Sequence, residues 1–171
     1  MHWTENVDPF HDCCVHGRLY LKIGSQIVSA GDSEWTVSTA AFNFLRTIFE
    51  NHDDAQEEDL IPCCGFNMWP DDSLKDGLYI PNCGNGIDWS VEHEAGTIAH
   101  RLSTNVTLYT SKRVWARAVC DFADEVFAYF QTAWPKVIDN EEDRMGFDRF
   151  IKLWQERRSS AEKLLNGERF N

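Results

Sequence analysis

The chain has 171 residues, enough for one domain with its own core, and 43% of them are apolar. Its 28 acidic and 16 basic residues give a net charge of −12, which argues against non-specific binding to nucleic acid, because such binding needs lysine and arginine. No apolar run has the length of a membrane helix, and the first residues do not form a secretory signal. We therefore expect a single domain over residues 1–171, located in the cytoplasm, with no membrane partner.

The N-terminal part of the chain predicts β-structure followed by a helix. Residues 17–23 alternate apolar and polar side chains, as a half-buried strand does. Glycine-containing turns then lead into further strands at 26–30 and 34–38. Ser38 is a favourable N-cap residue, and apolar residues at helical spacing predict a helix from there to Glu50.

The rest of the chain predicts short strands and then two long helices. The strands are expected near residues 60–64, 78–82, 87–93, 97–102 and 105–109. The helices are expected from Ser111 to about Ala133 and from Asp139 or Asn140 onward, with Trp134-Pro135 between them. This order predicts an α+β fold: a mostly antiparallel sheet of about five to seven short strands, packed with three helices of which the two longest are C-terminal.

The two C-terminal helices carry an apolar stripe that should face the sheet. Five aromatic residues of this stripe are expected to be buried: Trp115, Phe122, Phe130, Phe150 and Trp154.

Two segments share one pattern, Ile61-Pro62-Cys63-Cys64-Gly65 and Ile80-Pro81-Asn82-Cys83-Gly84. Zinc knuckles often have Cys-Pro-x-Cys-Gly twice, but isoleucine stands here in place of the first ligand. Cys64 and Cys83 alone do not complete a zinc site, and in an extended chain Cys63 would point to the opposite face from Cys64. The simpler interpretation is two strand ends with similar turns. Without an export signal, all six cysteines are expected to be reduced.

A second cluster, His11-Asp12-Cys13-Cys14-Val15-His16, has two histidines and two cysteines within six residues, and both residue types bind zinc. It is too short to enclose a metal alone, but it can supply two ligands to a composite site completed by Cys64 and Cys83. The alternative function is therefore a metal-binding protein or a small cysteine- and histidine-dependent enzyme. No hydrolase, nucleotide-binding or zinc-protease motif is present. We therefore expect no catalytic activity, no metal and no cofactor.

Acidic residues form three clusters close to tryptophans, in residues 50–59, 71–76 and 139–143. Trp69 precedes the second cluster and Trp134 precedes the third. Aromatic residues flanked by charge are common at protein interfaces. The candidate partner-binding residues are Asp53, Asp54, Glu57, Glu58, Asp59, Trp69, Asp71 and Asp72.

In its size, its acidic charge and its lack of an active-site motif, the chain resembles the immunity proteins of bacterial contact-dependent and type VI toxins. In that class a compact acidic protein blocks a cognate toxin domain, which is often basic. The resemblance implies a non-catalytic cytoplasmic protein whose partner is a basic toxin domain, with the toxin's active site occluded on binding. It includes no shared motif, so it assigns no residues.

Overall fold

The computed structural model describes residues 2–5, 8–55, 58–65, 67–102 and 105–167. These residues form eight strands and three α-helices. The strands are β1 His2–Trp3, β2 His16–Ile23, β3 Gln26–Thr36, β4 Trp69–Pro70, β5 Leu78–Tyr79, β6 Ser90–Glu94, β7 Thr97–Leu102 and β8 Val106–Ser111. The helices are α1 Val37–Thr47, α2 Lys112–Phe130 and α3 Glu141–Asn166. The α+β class and the C-terminal position of the two longest helices are confirmed.

The strands pair in three antiparallel sheets, with the orders β1-β2-β3, β4-β5 and β6-β7-β8. The two strands expected at 26–30 and 34–38 are a single strand, β3. Its pairing with β2 shifts in register between Arg18 and Tyr20, and this bulge lets β3 continue through Gly31. The hairpin expected around residues 94–96 is confirmed, since β6 ends at Glu94 and β7 begins at Thr97.

Side-chain hydrogen bonds cap the first turns of α2 and α3. Ser111 Oγ accepts the Val114 backbone N–H at 3.2 Å at the start of α2, and Asn140 Oδ1 accepts the Asp143 N–H at 2.7 Å at the start of α3. Ser38 is not an N-cap: it is buried inside α1, and its Oγ accepts from Val15 N at 3.0 Å. None of the described helices is long and apolar enough to span a bilayer.

Aromatic side chains fill the core where α1 meets the other helices and the sheet formed by β6, β7 and β8. The ring of Phe44 in α1 lies 5.8 Å from those of Trp89, Trp115 and Phe122. Four of the five aromatic residues expected in the core are buried: Trp115, Phe130, Phe150 and Trp154. The expectation is wrong for Phe122, which is half-buried at the edge of this cluster.

The segment from Trp69 to Tyr79, called the hairpin below, is docked on α3. The Trp69 indole N–H donates to Asp143 Oδ1 at 2.7 Å, and Arg149 Nε donates to the Asp76 carbonyl at 2.6 Å. Arg157 also forms an ion pair with the Asp76 carboxylate. Gly146 permits this approach, because a Cβ there would lie 1.8 Å from the carbonyl oxygen of Met68. The hairpin is therefore held in place at its first strand and in its turn.

Candidate functional site

Three cysteine sulfurs meet at the surface beside the hairpin. Cys63 and Cys83 form a disulfide, and Cys64 Sγ lies 3.3 Å from Cys63 Sγ. The Sγ atoms of Cys63, Cys64 and Cys83 all lie within 4.8 Å of one another. The expectation that all six cysteines are reduced is therefore wrong for Cys63 and Cys83. The expectation that Cys63 and Cys64 point to opposite faces is also wrong.

The two adjacent sulfurs share a side because the chain is not extended there. Ile61 exchanges two backbone hydrogen bonds of 3.0 Å with Ile87, and the chain then bends at Cys63. The two Ile-Pro-x-Cys-Gly segments also lie side by side: a Cβ on Gly65 would be 3.4 Å from the carbonyl oxygen of Pro81. The shared turn chemistry thus brings the two cysteine segments into contact.

The cluster at residues 11–16 does not complete this site. His11 pairs with Asp8 at 2.9 Å, and His16 pairs with Asp12 at 3.2 Å. The Cys14 thiol donates to the carbonyl of Gly65, so the two segments do approach each other. Among the residues that the structure describes, however, the ligand-type side chains close enough to share an ion are the three cysteines at 63, 64 and 83. The predicted composite of the 11–16 cluster with Cys64 and Cys83 is not assembled.

Cys13 and Cys14 are also poor nucleophiles. Burial raises the pKa of the Cys13 thiol to about 11, and the nearby Lys136 ammonium only partly opposes this. Burial raises the pKa of the Cys14 thiol as well. Both groups therefore stay protonated at neutral pH, whereas cysteine catalysis needs the thiolate.

The three-cysteine cluster borders a shallow cleft of about 260 Å³. The cleft is lined by Cys64, Gly65, Asn67, Trp69, Pro81, Asn82 and Cys83. Cys83 is exposed, whereas Cys63 and Cys64 are half-buried. The sulfurs are therefore reachable from solvent on the side of Cys83.

Residues of the first and third acidic segments contact the hairpin, which carries the second segment. Lys75 at the tip of the hairpin forms an ion pair of 2.7 Å with Glu50, where the first acidic segment begins. Asp143 of the third segment accepts the indole N–H of Trp69. Asp71 and Asp72 of the second segment belong to the hairpin itself. The name acidic face is used below for five carboxylates of the first and second segments: exposed Asp53, Asp54, Glu58 and Asp72, and half-buried Asp71.

Hydrogen bonds orient three carboxylates of this face. Asp53 Oδ1 accepts the backbone N–H of Ala55 at 3.0 Å, and Asp71 Oδ1 accepts that of Ser73 at 2.9 Å. Asp54 Oδ1 accepts the hydroxyl of Ser90 at 2.6 Å. These bonds restrict the orientations that the three carboxylate groups can take.

Two of the predicted partner-binding residues have structural roles. Asp59 is half-buried, and its Oδ2 accepts the Gly86 N–H at 2.9 Å. Trp69 is half-buried and stacks on Tyr79, with ring centroids 6.1 Å apart. Glu58 belongs to the acidic face, and burial and the adjacent Asp59 raise its pKa. Glu57 lies outside the described residues.

His52, which lies between acidic residues in the sequence, is fully buried and anchors the first acidic segment. Its Nε2 lies 2.8 Å from Asp88 Oδ1, and its Nδ1 lies 2.9 Å from Arg46. Asp88 Oδ1 also accepts the backbone N–H of Leu60 at 2.9 Å. No sequence pattern marks these partners, because they come from three separate segments.

Comparison with known proteins identifies no family. The chain matches no family model, and searches of curated proteins and of solved structures found no significant similarity.

Proposed function

We propose that the chain is a non-catalytic cytoplasmic protein that binds a basic protein partner through the acidic face. The class that best fits this role is an immunity protein that occludes the active site of a bacterial toxin domain. The observation that carries the proposal is that two acidic segments, separate in the sequence, contact the docked hairpin that carries a third.

The hairpin also presents an apolar residue within this charged surface. Leu74 lies at its tip with 42% of its surface exposed. Backbone bonds from Leu74 N to Asp71 O, at 3.1 Å, and from Gly77 N to Leu74 O, at 2.9 Å, hold the tip in a defined turn. An apolar centre with a polar rim is the usual arrangement of a protein interface.

The hydrogen bonds that orient Asp53, Asp54 and Asp71 favour tight binding. Side chains that are already oriented lose less conformational entropy on association, and exposed charges of one sign accelerate encounter with a partner of the opposite sign. Neither effect requires a reacting group on this chain, in keeping with a role in binding.

Co-expression tests the proposal. In the class of immunity proteins the immunity gene directly follows the toxin gene, so the partner to test is the toxin domain encoded by the gene immediately upstream. We expect this domain to stop growth of a bacterial host and the wild-type chain to restore it. An acidic-face variant with Asp53→Asn, Asp54→Asn, Glu58→Gln and Asp72→Asn should restore growth poorly, because these changes keep size and polarity but remove four negative charges.

A matched control removes four charges beside the first sheet, through Asp32→Asn, Glu34→Gln, Asp121→Asn and Glu125→Gln; all four residues are exposed. The control variant should protect the host as well as the wild type does. Equal loss of protection in both variants would show that net charge matters rather than the acidic face. Failure of the upstream product to bind the purified chain would contradict the immunity assignment.

A further inference from the structure

We propose that the chain, in its reduced form, binds one Zn²⁺ ion through Cys63, Cys64 and Cys83. The inference does not rest on the proposed function. It rests on three sulfur atoms that lie within 4.8 Å of one another, contributed by two segments distant in the sequence.

The sulfur positions suit a tetrahedral thiolate site. Zinc–sulfur bonds of about 2.3 Å place the sulfurs of such a site about 3.8 Å apart. The Sγ atoms of Cys63 and Cys64 are 3.3 Å apart, and the third sulfur lies within the 4.8 Å limit. Side-chain rotation is therefore enough to reach coordination distances once the disulfide is open. Thiolates select zinc over the oxygen-preferring magnesium and calcium ions.

The backbone that carries the three cysteines is fixed by contacts between the residues before Cys63 and the residues after Cys83. The Ile61–Ile87 bridge joins the two segments, and the bond from Gly86 N to the Asp59 carboxylate reinforces it at 2.9 Å. Gly86 permits this contact, because a Cβ there would lie 2.4 Å from the Ile61 carbonyl oxygen. A preformed ligand set of this kind lowers the entropy cost of metal binding.

Polar groups around Cys83 favour the thiolate form of its side chain. The Asn85 side-chain amide donates to Cys83 Sγ at 3.6 Å. The Asn82 carbonyl Oδ1 accepts the Gly84 N–H at 2.6 Å and closes the turn at a glycine with φ of 66°. Such outer contacts orient metal ligands and tune their basicity. The solvent-facing side at Cys83 leaves the fourth coordination position for a water molecule.

Zinc binding and the Cys63–Cys83 disulfide exclude each other, because the bond uses two of the three ligands. An external dithiol opens the bond by giving two electrons and two protons. This yields two cysteine thiols and the oxidised form of the dithiol. Zn²⁺ then displaces the thiol protons, which are released to the buffer.

The test uses the full-length chain with zinc alone as the probe. The protein is reduced with a dithiol, freed of reductant without oxygen and titrated with Zn²⁺ in competition with a chromophoric chelator. We expect one ion per reduced chain and none per oxidised chain. Co²⁺ in place of zinc should give the sulfur-to-metal charge-transfer absorption of thiolate ligation.

Three variants locate the site. Cys64→Ser and Cys83→Ser should each weaken zinc binding by about 100-fold or more, since loss of an outer-shell partner alone costs about 10- to 100-fold. Cys120→Ala is the control: Cys120 is buried in α2 and should not affect the affinity. Circular dichroism verifies that each variant is folded.

Any of three results would overturn the inference: no zinc bound by the reduced chain, affinity unchanged in both Cys64→Ser and Cys83→Ser, or a disulfide that the dithiol cannot open in the folded protein. Loss of binding in the Cys120→Ala control, with the fold intact, would place the metal elsewhere.

Discussion

At the scale of single residues, buried His100 links the stability of the fold to pH. Its Nδ1 accepts the indole N–H of Trp89 at 3.2 Å, and its Nε2 lies 3.0 Å from Thr110 Oγ1. Burial, assisted by nearby His93, lowers the pKa of His100 to about 4. A proton on Nδ1 would break the bond to Trp89, so the fold requires the neutral ring.

We predict that the free energy of unfolding falls as the pH is lowered from about 6.5 to about 4. In this window the unfolded chain binds a proton at His100 and the folded chain does not, so acid favours unfolding. At about 1.4 kcal/mol per pH unit the total loss is about 3 kcal/mol. Urea denaturation at several pH values, for the wild type and for His100→Gln, measures it. In the variant, the free energy of unfolding should depend less steeply on pH than in the wild type. An equally steep dependence in both proteins would contradict this role for His100.

The three cysteines of the surface cluster are only partly predictable from the sequence. The shared motif pairs Cys64 with Cys83, but an extended chain would place Cys63 on the opposite face. The bend after the Ile61–Ile87 bridge brings Cys63 to the same side instead. An isolated bridge between distant residues has no local sequence signal, so the third sulfur became evident only in the structure.

At the scale of secondary-structure elements, the docking of the hairpin on α3 depends on Gly146. Alanine at a helix position is normally more stable than glycine by about 1 kcal/mol. Here the added Cβ would lie 1.8 Å from the Met68 carbonyl oxygen, which is backbone and cannot rotate away.

We therefore predict that Gly146→Ala destabilises the protein by about 1–3 kcal/mol, the usual cost of overpacking, despite the better helix propensity. Thermal unfolding measures the change. The control is Ser159→Ala at an exposed position of the same helix, which should leave the melting temperature unchanged or slightly raised. A Gly146→Ala protein as stable as the wild type would show that the hairpin is not packed tightly on α3.

Elements with local signals were predictable, and elements that need tertiary partners were not. The helices α2 and α3 follow from apolar periodicity and from the caps at Ser111 and Asn140. The division of the strands into three sheets does not, because it depends on which segments meet in space. The short pair β4–β5 in particular depends on its contacts with α3.

At the scale of the whole molecule, the chain has a net charge of −12, and two of its acidic segments contact the hairpin that carries a third. Composition predicted the charge but not this arrangement, which follows from the ion pair at Lys75 and the bond from Trp69 to Asp143. The single-domain organisation and the immunity role remain predictions.

The most direct test of the proposed function is the rate at which the chain associates with the upstream-encoded partner domain, measured by stopped flow at increasing salt. We expect the wild-type rate constant to fall with ionic strength, since the Debye length shrinks from about 10 Å at 0.1 M to about 3 Å at 1 M. The acidic-face variant should associate about ten-fold more slowly at low salt, and the control variant should remain close to the wild type. A wild-type rate constant that does not depend on salt, or an acidic-face variant that associates as fast as the control, would contradict binding of a basic partner through the acidic face.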